Sequence, residues 1–480
     1  MKKKSLFIPL LLCTMSMAIK ESNSQVLALS LYDEELITQY VWKSDYSYQE
    51  AVMVVEEEDG SIAPIKLLYN IDRIEEVKSA TLTKTYKEGV DYSVEDGKLI
   101  VNPSGSIPTI SYNDFYPDTG QSGFEREGGG YLCFHEGAYF HNLQIVVSYY
   151  HSDEYKGYIP ESKGYLLPNI TKALKEKEEF NILVYGDSIS TGGNSSGHPQ
   201  INVSPHMPIY PLQIKLALEQ KYNIKVNVVN ESVGGTDSAW GLANVRTNIF
   251  DKHGDEHFDM IVIAFGMNDI KVEPEQYANN IKRLSNALLK KYDNSDCLLY
   301  APMIPNPQAI NFNGKQYLFK DELLKLETTG IAVVDMTSMH QSLLQTKRFF
   351  DMTGNNVNHA NDYLARIYAQ VAVKTLEEGN IPPTEPNDDD SSNTSSEIDS
   401  TEETSTIESV TQEESTTEIA SSETSSTIEE TISSNIENQS DNQEKTKKGC
   451  KGSIVDSFLL SLFGFIALII LKKGKREYEK

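Results

Sequence analysis

The stretch Asn181-Ile182-Leu183-Val184-Tyr185-Gly186-Asp187-Ser188-Ile189-Ser190 decides how the second half of this 480-residue chain folds. A short apolar run closed by a Gly-Asp-Ser turn reads as a buried strand that exits into a helix. Similar runs recur at Val226–Val229, Met260–Phe265, Leu298–Ala301 and Ile331–Val334. Between them lie amphipathic segments, Pro208–Lys221, Gln276–Lys291 and Asn361–Glu377. Buried strands alternating with helices imply a parallel sheet covered on both faces, because only the crossover helices can join strands that run the same way. An α/β domain is therefore expected over 181–379.

Upstream the rhythm changes. Ala51–Val55, Lys66–Ile71, Ala80–Thr85, Lys98–Val101 and Leu143–Tyr150 read as short strands, separated by turn signals such as Asp59-Gly60, Glu88-Gly89 and Asp96-Gly97. That spacing suggests a small all-β sandwich, jelly-roll-like, over 30–160. A helical connector at Ile170–Glu179, within 161–180, links the two.

The ends carry their own signals. Residues 1–25, with Met1–Lys4 basic and Leu6–Ile19 apolar, read as a secretory signal peptide. Thr384–Glu444 holds 18 acidic side chains and no Lys or Arg, against a formal net charge of −27 for the whole chain. A Ser/Thr/Glu tract without aromatic residues cannot bury enough apolar surface to offset its chain entropy, so 380–448 is expected to be an extended stalk. Residues 452–471 are apolar enough to form a transmembrane helix, and 472–480 a basic cytoplasmic tail. This layout resembles the C-terminal sorting region of Gram-positive surface proteins, although no LPxTG sequence precedes it. The expected location is the outer face of the cell membrane. Nucleic acid is excluded as a partner by the acidic balance. Cys13, Cys133, Cys297 and Cys450 are too few and too scattered for a disulfide framework or a zinc site.

The chemistry is expected at the carboxyl ends of the parallel strands. Ser188 stands in the turn leaving the first strand, where a hydroxyl can be presented above the sheet. Asn230-Glu231-Ser232-Val233-Gly234-Gly235-Thr236 follows the second, and adjacent glycines expose backbone N–H groups. Gly266-Met267-Asn268-Asp269 follows the third and offers a side-chain amide donor. Asn356-Val357-Asn358-His359-Ala360-Asn361-Asp362 lies beyond the last. Singly, these are an ordinary turn, a glycine turn, a helix cap and a structural histidine. Their ordered coincidence supplies a nucleophile, donors for a tetrahedral oxyanion and a base.

With those blocks the chain resembles the SGNH (GDSL-type) hydrolase family over about Asn181 to Gly379. The resemblance implies a flavodoxin-like αβα fold, Ser188 as nucleophile, His359 as base, and Ser188, Gly235 and Asn268 as the oxyanion hole. It implies no metal and no organic cofactor. A β domain ahead of the hydrolase domain also resembles the layout of some bacterial carbohydrate acetyl esterases, with the Ser195-Ser196-Gly197 and Met207-Pro208-Ile209-Tyr210 stretches. The family places an aspartate three residues before the histidine; here that position is Asn356. Asp351, Asn356 or a backbone carbonyl, or Asp335 are the alternatives for orienting His359.

The expected function is a surface-tethered serine esterase removing small acyl groups, acetyl foremost, from carbohydrate. The alternatives are a lipase- or thioesterase-like hydrolase of longer acyl esters, or an inert glycan-binding surface protein. His253-Gly254-Asp255-Glu256-His257 fits an inverted zinc-protease pattern but reads as a helix-to-strand loop, and Gly128-Gly129-Gly130 as a loop without a phosphate site. Trp240 is either a sugar platform or a core residue.

Overall fold

A computed structural model describes residues 31–120 and 123–380. The expected signal peptide, stalk, transmembrane helix and basic tail lie outside the described residues. Among the described residues no helix is long and apolar enough to cross a membrane.

Eight strands form the N-terminal part: β1 (Tyr46–Met53), β2 (Arg73–Ser79), β3 (Thr85–Tyr86), β4 (Tyr92–Glu95), β5 (Lys98–Val101), β6 (Gly123–Glu125), β7 (Tyr131–Cys133) and β8 (Gln144–Tyr150). Strands β1, β8, β2 and β3 make a four-stranded antiparallel sheet in that order, and β4–β5 and β6–β7 are hairpins. Val52, Val77, Ile145, Val147 and Tyr149 of the sheet share one apolar cluster with Tyr92, Leu99 and Val101 of the β4–β5 hairpin. This small β domain departs from the sequence reading. Tyr92–Glu95, Gly123–Glu125 and Tyr131–Cys133 are strands it did not name. Lys66–Ile71 is not a strand, Ala80–Thr85 is one only at Thr85, and the interior strand between them is Arg73–Ser79. Its outer face is exposed Arg73 and Glu75, and charges on a strand mask the alternation that marks its buried face.

The second part carries β9 (Glu179–Gly186), β10 (Lys225–Asn230), β11 (Met260–Ala264), β12 (Asp296–Ala301) and β13 (Ile331–Asp335). They form a five-stranded sheet in the order β10-β9-β11-β12-β13, every pair parallel. Alternation builds the three layers. Phe180, Ile182 and Val184 of β9 enter one core, together with Met260, Val262, Leu298, Tyr300, Ala332 and Val334. Leu183 and Tyr185 enter the other, with Ile261, Ile263, Cys297, Leu299, Ile331 and Val333. Strand side chains alternate faces with period two, so one apolar run supplies both cores. The first face is covered by helices Pro168–Glu176, Tyr210–Tyr222, Met336–Leu343 and Asp362–Thr375, and the second by Ser238–Val245, Pro274–Lys291 and Phe319–Leu324.

The two parts fall in one compact unit and share apolar contacts. On β1, Val52 points into the small β core while Ala51 joins the first core of the parallel sheet. Glu50 and Lys347 form a fully buried ion pair of 2.5 Å across this junction. Tyr149 Oη and the Leu68 amide also donate to the Glu50 carboxylate, at 2.7 and 2.8 Å, and Lys347 Nζ donates to the Ala51 carbonyl at 3.1 Å. From the C-terminal helix, buried Arg366 donates to the carbonyls of Tyr48 and Gln49. The Glu50–Lys347 charges are tolerable in the interior because they are paired and hydrogen-bonded to this extent, whereas Arg366 Nε is buried without a partner among the described residues.

Candidate active site

In a parallel sheet of this order, β9 sits where the chain reverses its winding direction, so the loops leaving β9 and β11 diverge and leave a crevice between them. Ser188 opens the short helix Ser188–Thr191 directly after β9, capped by Asp187, whose carboxylate accepts from the Ile189 amide at 3.0 Å. The second Asp187 oxygen accepts from the Met267 amide at 3.3 Å, which pins the β11 loop beside the Ser188 turn. Burial pushes the Asp187 carboxyl up to about 7, against the lowering effect of those amides.

The glycine loop after β10 reaches the same place. A Cβ on Gly234 would stand 3.7 Å from the Ser188 Cβ, and Gly235 adopts φ +75°. Asn268 Nδ2 donates to the Thr236 carbonyl at 2.9 Å, tying the β11 loop to this one. That leaves its second amide hydrogen. Among the described residues the Ser188 and Gly235 N–H groups have no acceptor. Three donors therefore gather around the Ser188 turn. Behind them Asp269 is held by the Ser238 amide and hydroxyl, and burial pushes its carboxyl up to about 6.

His359 comes from the loop just ahead of the helix Asp362–Thr375, and its Nε2 lies 2.8 Å from Ser188 Oγ. The loop is built on Asn355, whose Oδ1 accepts the amides of Val357, Asn358 and His359 at 3.0 to 3.1 Å. Thr353 Oγ1 donates to the His359 carbonyl at 2.8 Å. Both catalytic-type side chains are nearly closed off from solvent, at 9% and 8% exposed.

None of the expected orienting groups faces the imidazole. Asp351 is turned toward β1, accepting from the Met53 amide at 2.9 Å and pairing with Arg348. Asn356, at φ +67°, donates from Nδ2 to the Cys133 carbonyl at 3.1 Å and accepts from Asn306. Asp335 caps the helix that follows it, through the Ser338 amide. The acceptor on His359 Nδ1 is Asn194 Oδ1 at 2.5 Å. Asn355 Nδ2 lies 3.1 Å from the same nitrogen, and Glu136 Oε2 3.7 Å from it. These three were not read from the sequence, and the pairing of Gly192-Gly193-Asn194 with a histidine 165 residues away leaves no spacing signal.

Two glycines make the approach possible. A Cβ on Gly354 would stand 2.6 Å from the Asn194 Cβ and 2.8 Å from its carbonyl oxygen. A Cβ on Gly193 would stand 3.0 Å from both Cε1 and Nδ1 of His359.

The zinc-like pattern dissolves in the fold. His253 bonds Glu231 and Glu256, while His257 bonds Asp259, so the two rings face different carboxylates. Among the described residues no cluster of His, Cys, Asp and Glu could hold a metal ion. Trp240 is half-buried and packs against the edge of the second core near Tyr185. Cys133 and Cys297 are both buried and unbridged.

Residues 182–381 match the family model described as GDSL-like Lipase/Acylhydrolase. No curated protein matches the chain. Among solved structures, a two-domain esterase (CEX) active on acetylated mannans, crystallised with mannopentaose, is 18% identical at a TM-score of 0.36 and is matched over 46% of this chain. The match spans 56% of that esterase's length, a little over half. A variant of Axe2, an acetyl xylan esterase from Geobacillus stearothermophilus, is 15% identical over 42% of this chain and 96% of its own, with a TM-score of 0.33. The lipase Lip_vut3 from a goat rumen metagenome is 14% identical over 42% and 98%, also with a TM-score of 0.33.

Proposed function

We propose, from the premise that residues 182–381 form a GDSL-like acylhydrolase domain, that this protein is a serine esterase releasing small acyl groups from carbohydrate. The observation that carries the reading is the pair of hydrogen bonds on one imidazole. Nδ1–H donates to the Asn194 amide oxygen, which leaves Nε2 unprotonated and 2.8 Å from the Ser188 hydroxyl. His359 then takes the Ser188 proton as Oγ attacks the ester carbonyl. The negative charge arriving on the carbonyl oxygen meets the N–H groups of Ser188 and Gly235 and the free amide hydrogen of Asn268. Collapse of that adduct expels the sugar alkoxide, which takes the proton from His359. Water, activated by the same base, releases the acyl group from Ser188.

One feature supports the substrate class. The segment that carries Glu136, which lies 3.7 Å from the imidazole, also presents His135 and Tyr139, their rings 4.0 Å apart, and Tyr139 is 38% exposed. A partly exposed aromatic side chain three residues from that contact suits a sugar ring, which is apolar on one side and hydroxylated on its rim. In this reading residues 452–471 anchor the protein at the outer face of the membrane, with 380–448 as the spacer; cell fractionation with and without residues 452–471 checks that placement.

The test is a chain-length series of p-nitrophenyl esters, acetyl to octanoyl, together with acetylated oligosaccharides, on the wild type and Ser188→Ala. Acetyl esters should turn over fastest and Ser188→Ala should be inactive while remaining folded. Preference for octanoyl would replace the substrate class with a lipase-like one. Failure of Ser188 to react with a fluorophosphonate probe would leave an inert glycan-binding protein as the better account.

A further inference from the structure

We propose that Glu136, a residue of the N-terminal β domain, supplies the negative charge that stabilises the imidazolium of His359, while Asn194 holds the ring's tautomer. The inference rests on the esterase reading above. In a Ser-His-Asp arrangement one carboxylate does both tasks: it accepts the Nδ1 proton and it offsets the charge that the ring gains during attack. Here the tasks are divided between two side chains from opposite sides of the domain junction.

The geometry makes the division. Asn194 accepts from Nδ1 through Oδ1 and donates from Nδ2 to the Gly137 carbonyl at 3.0 Å. That pair of bonds fixes which end of the amide faces the ring, because only the oxygen can accept. A neutral amide orients but adds no full charge. Glu136 adds one, with Oε2 3.7 Å from Nδ1. Its Oε1 accepts from Asn355 Nδ2 at 3.4 Å, and the same Asn355 organises the backbone that carries His359. Gly137, the residue after Glu136, is the one that anchors Asn194. The tip of the β domain thus contributes both the charge and the strut for the orienting amide.

The charge of Glu136 is set by the same neighbourhood. The Glu136 side chain is more than half exposed, and although partial burial of the carboxylate raises its carboxyl, the charge of His359 and the Asn355 amide outweigh that and hold it below the ordinary glutamate range. The other titratable groups facing the imidazole are His198, whose ring burial and His359 keep more easily deprotonated, and Asp187, behind Ser188. Neither is placed to replace Glu136: His198 brings no negative charge, and Asp187 is committed to the amides of Ile189 and Met267.

Catalysis should therefore depend on a residue outside the hydrolase domain. The experiment compares the full chain with Glu136→Gln, Glu136→Asp and His359→Gln. For p-nitrophenyl acetate, Glu136→Gln should move the acid limb of the kcat/KM profile down by about one pH unit and lower kcat about tenfold, with KM little changed. Glu136→Asp should recover part of both. A folded Glu136→Gln protein with wild-type kcat and an unmoved acid limb would overturn the proposal while leaving the esterase reading standing. A second readout needs no turnover: in carbon-13 NMR titrations the Glu136 carboxyl should titrate below ordinary glutamate and rise in His359→Gln. An unshifted, unresponsive carboxyl refutes the link whatever the activity. Absence of turnover in the wild type with that NMR response intact would instead count against the esterase reading.

Discussion

Asn194 and His359, 165 residues apart, meet through Oδ1 and Nδ1 at 2.5 Å, so an amide stands where the hydrolase pattern leads one to expect a carboxylate. The consequence is a ring whose tautomer is set by a neutral group. Removing the amide should cost orientation more than binding. Asn194→Ala is expected to lower kcat by about 10²- to 10³-fold, less than the ~10⁴ lost when a protease triad is given the wrong tautomer, with KM nearly unchanged. Asn194→Asp should keep most of the activity, since an aspartate can still accept from Nδ1. Steady-state kinetics on acetyl esters decide it; a kcat for Asn194→Ala within twofold of wild type would remove Asn194 from the account.

Gly354 is the contact that lets Asn194 come that close. In Gly354→Ala the new methyl would meet the Asn194 Cβ at 2.6 Å and its backbone oxygen at 2.8 Å, neither the flexible end of a side chain. Overpacking of this kind costs about 1–3 kcal/mol. The variant should melt earlier and lose kcat together. An alanine that left both unchanged would show that the loop can yield.

The Glu50–Lys347 pair is buried on both sides, and breaking it by one partner strands a charge. Glu50→Gln is expected to lose about 3–5 kcal/mol in urea denaturation. Glu50→Gln with Lys347→Met should recover a measurable part of that, because the lone ammonium is then gone. If the double variant is less stable than the single one, the loss belongs to the Tyr149 and Leu68 hydrogen bonds on Glu50 instead.

Asp187 and Asp269 give the fold a pH signature. Burial raises the first to about 7 and the second to about 6, above the unfolded carboxyl value. The folded state therefore holds protons that the unfolded state has released between about pH 4 and 7. Stability from these groups is fully present below pH 4 and is lost as the pH rises through 6 to 7. Glu377 is lowered to about 2, so its contribution changes only at pH below its ordinary carboxyl value. Between pH 5 and 8, Asp187→Asn should show a flatter melting-temperature profile than wild type. Identical slopes would remove Asp187 as the source.

Much of the hydrolase domain was readable residue by residue. Each run that reads as a buried strand, from Ile182–Tyr185 to Ile331–Val334, lies within an observed strand or runs one residue past its end, because a strand buried on both faces must be apolar throughout. The blocks around Ser188, Gly235, Asn268 and His359 were equally visible, since each sits at or beyond a strand end where turn chemistry is local. In the β domain, Lys98–Val101 and most of Leu143–Tyr150 were readable, whereas Arg73–Ser79 was hidden by its charged outer face.

By itself, the sequence determined the order of strands and helices in the hydrolase domain, the two kinds of domain and the side chains able to serve as nucleophile, base and oxyanion donors. These follow from periodicity and turn chemistry, which act over a few residues. Tertiary structure alone decided what stands behind the imidazole. It turned Asp351 toward Met53, sent Asn356 to Cys133, and brought Asn194, Asn355 and Glu136 to one nitrogen. The reason is physical: a single polar side chain in a loop has no pattern of its own, and its partner is whatever the packing of two domains places within 3 or 4 Å.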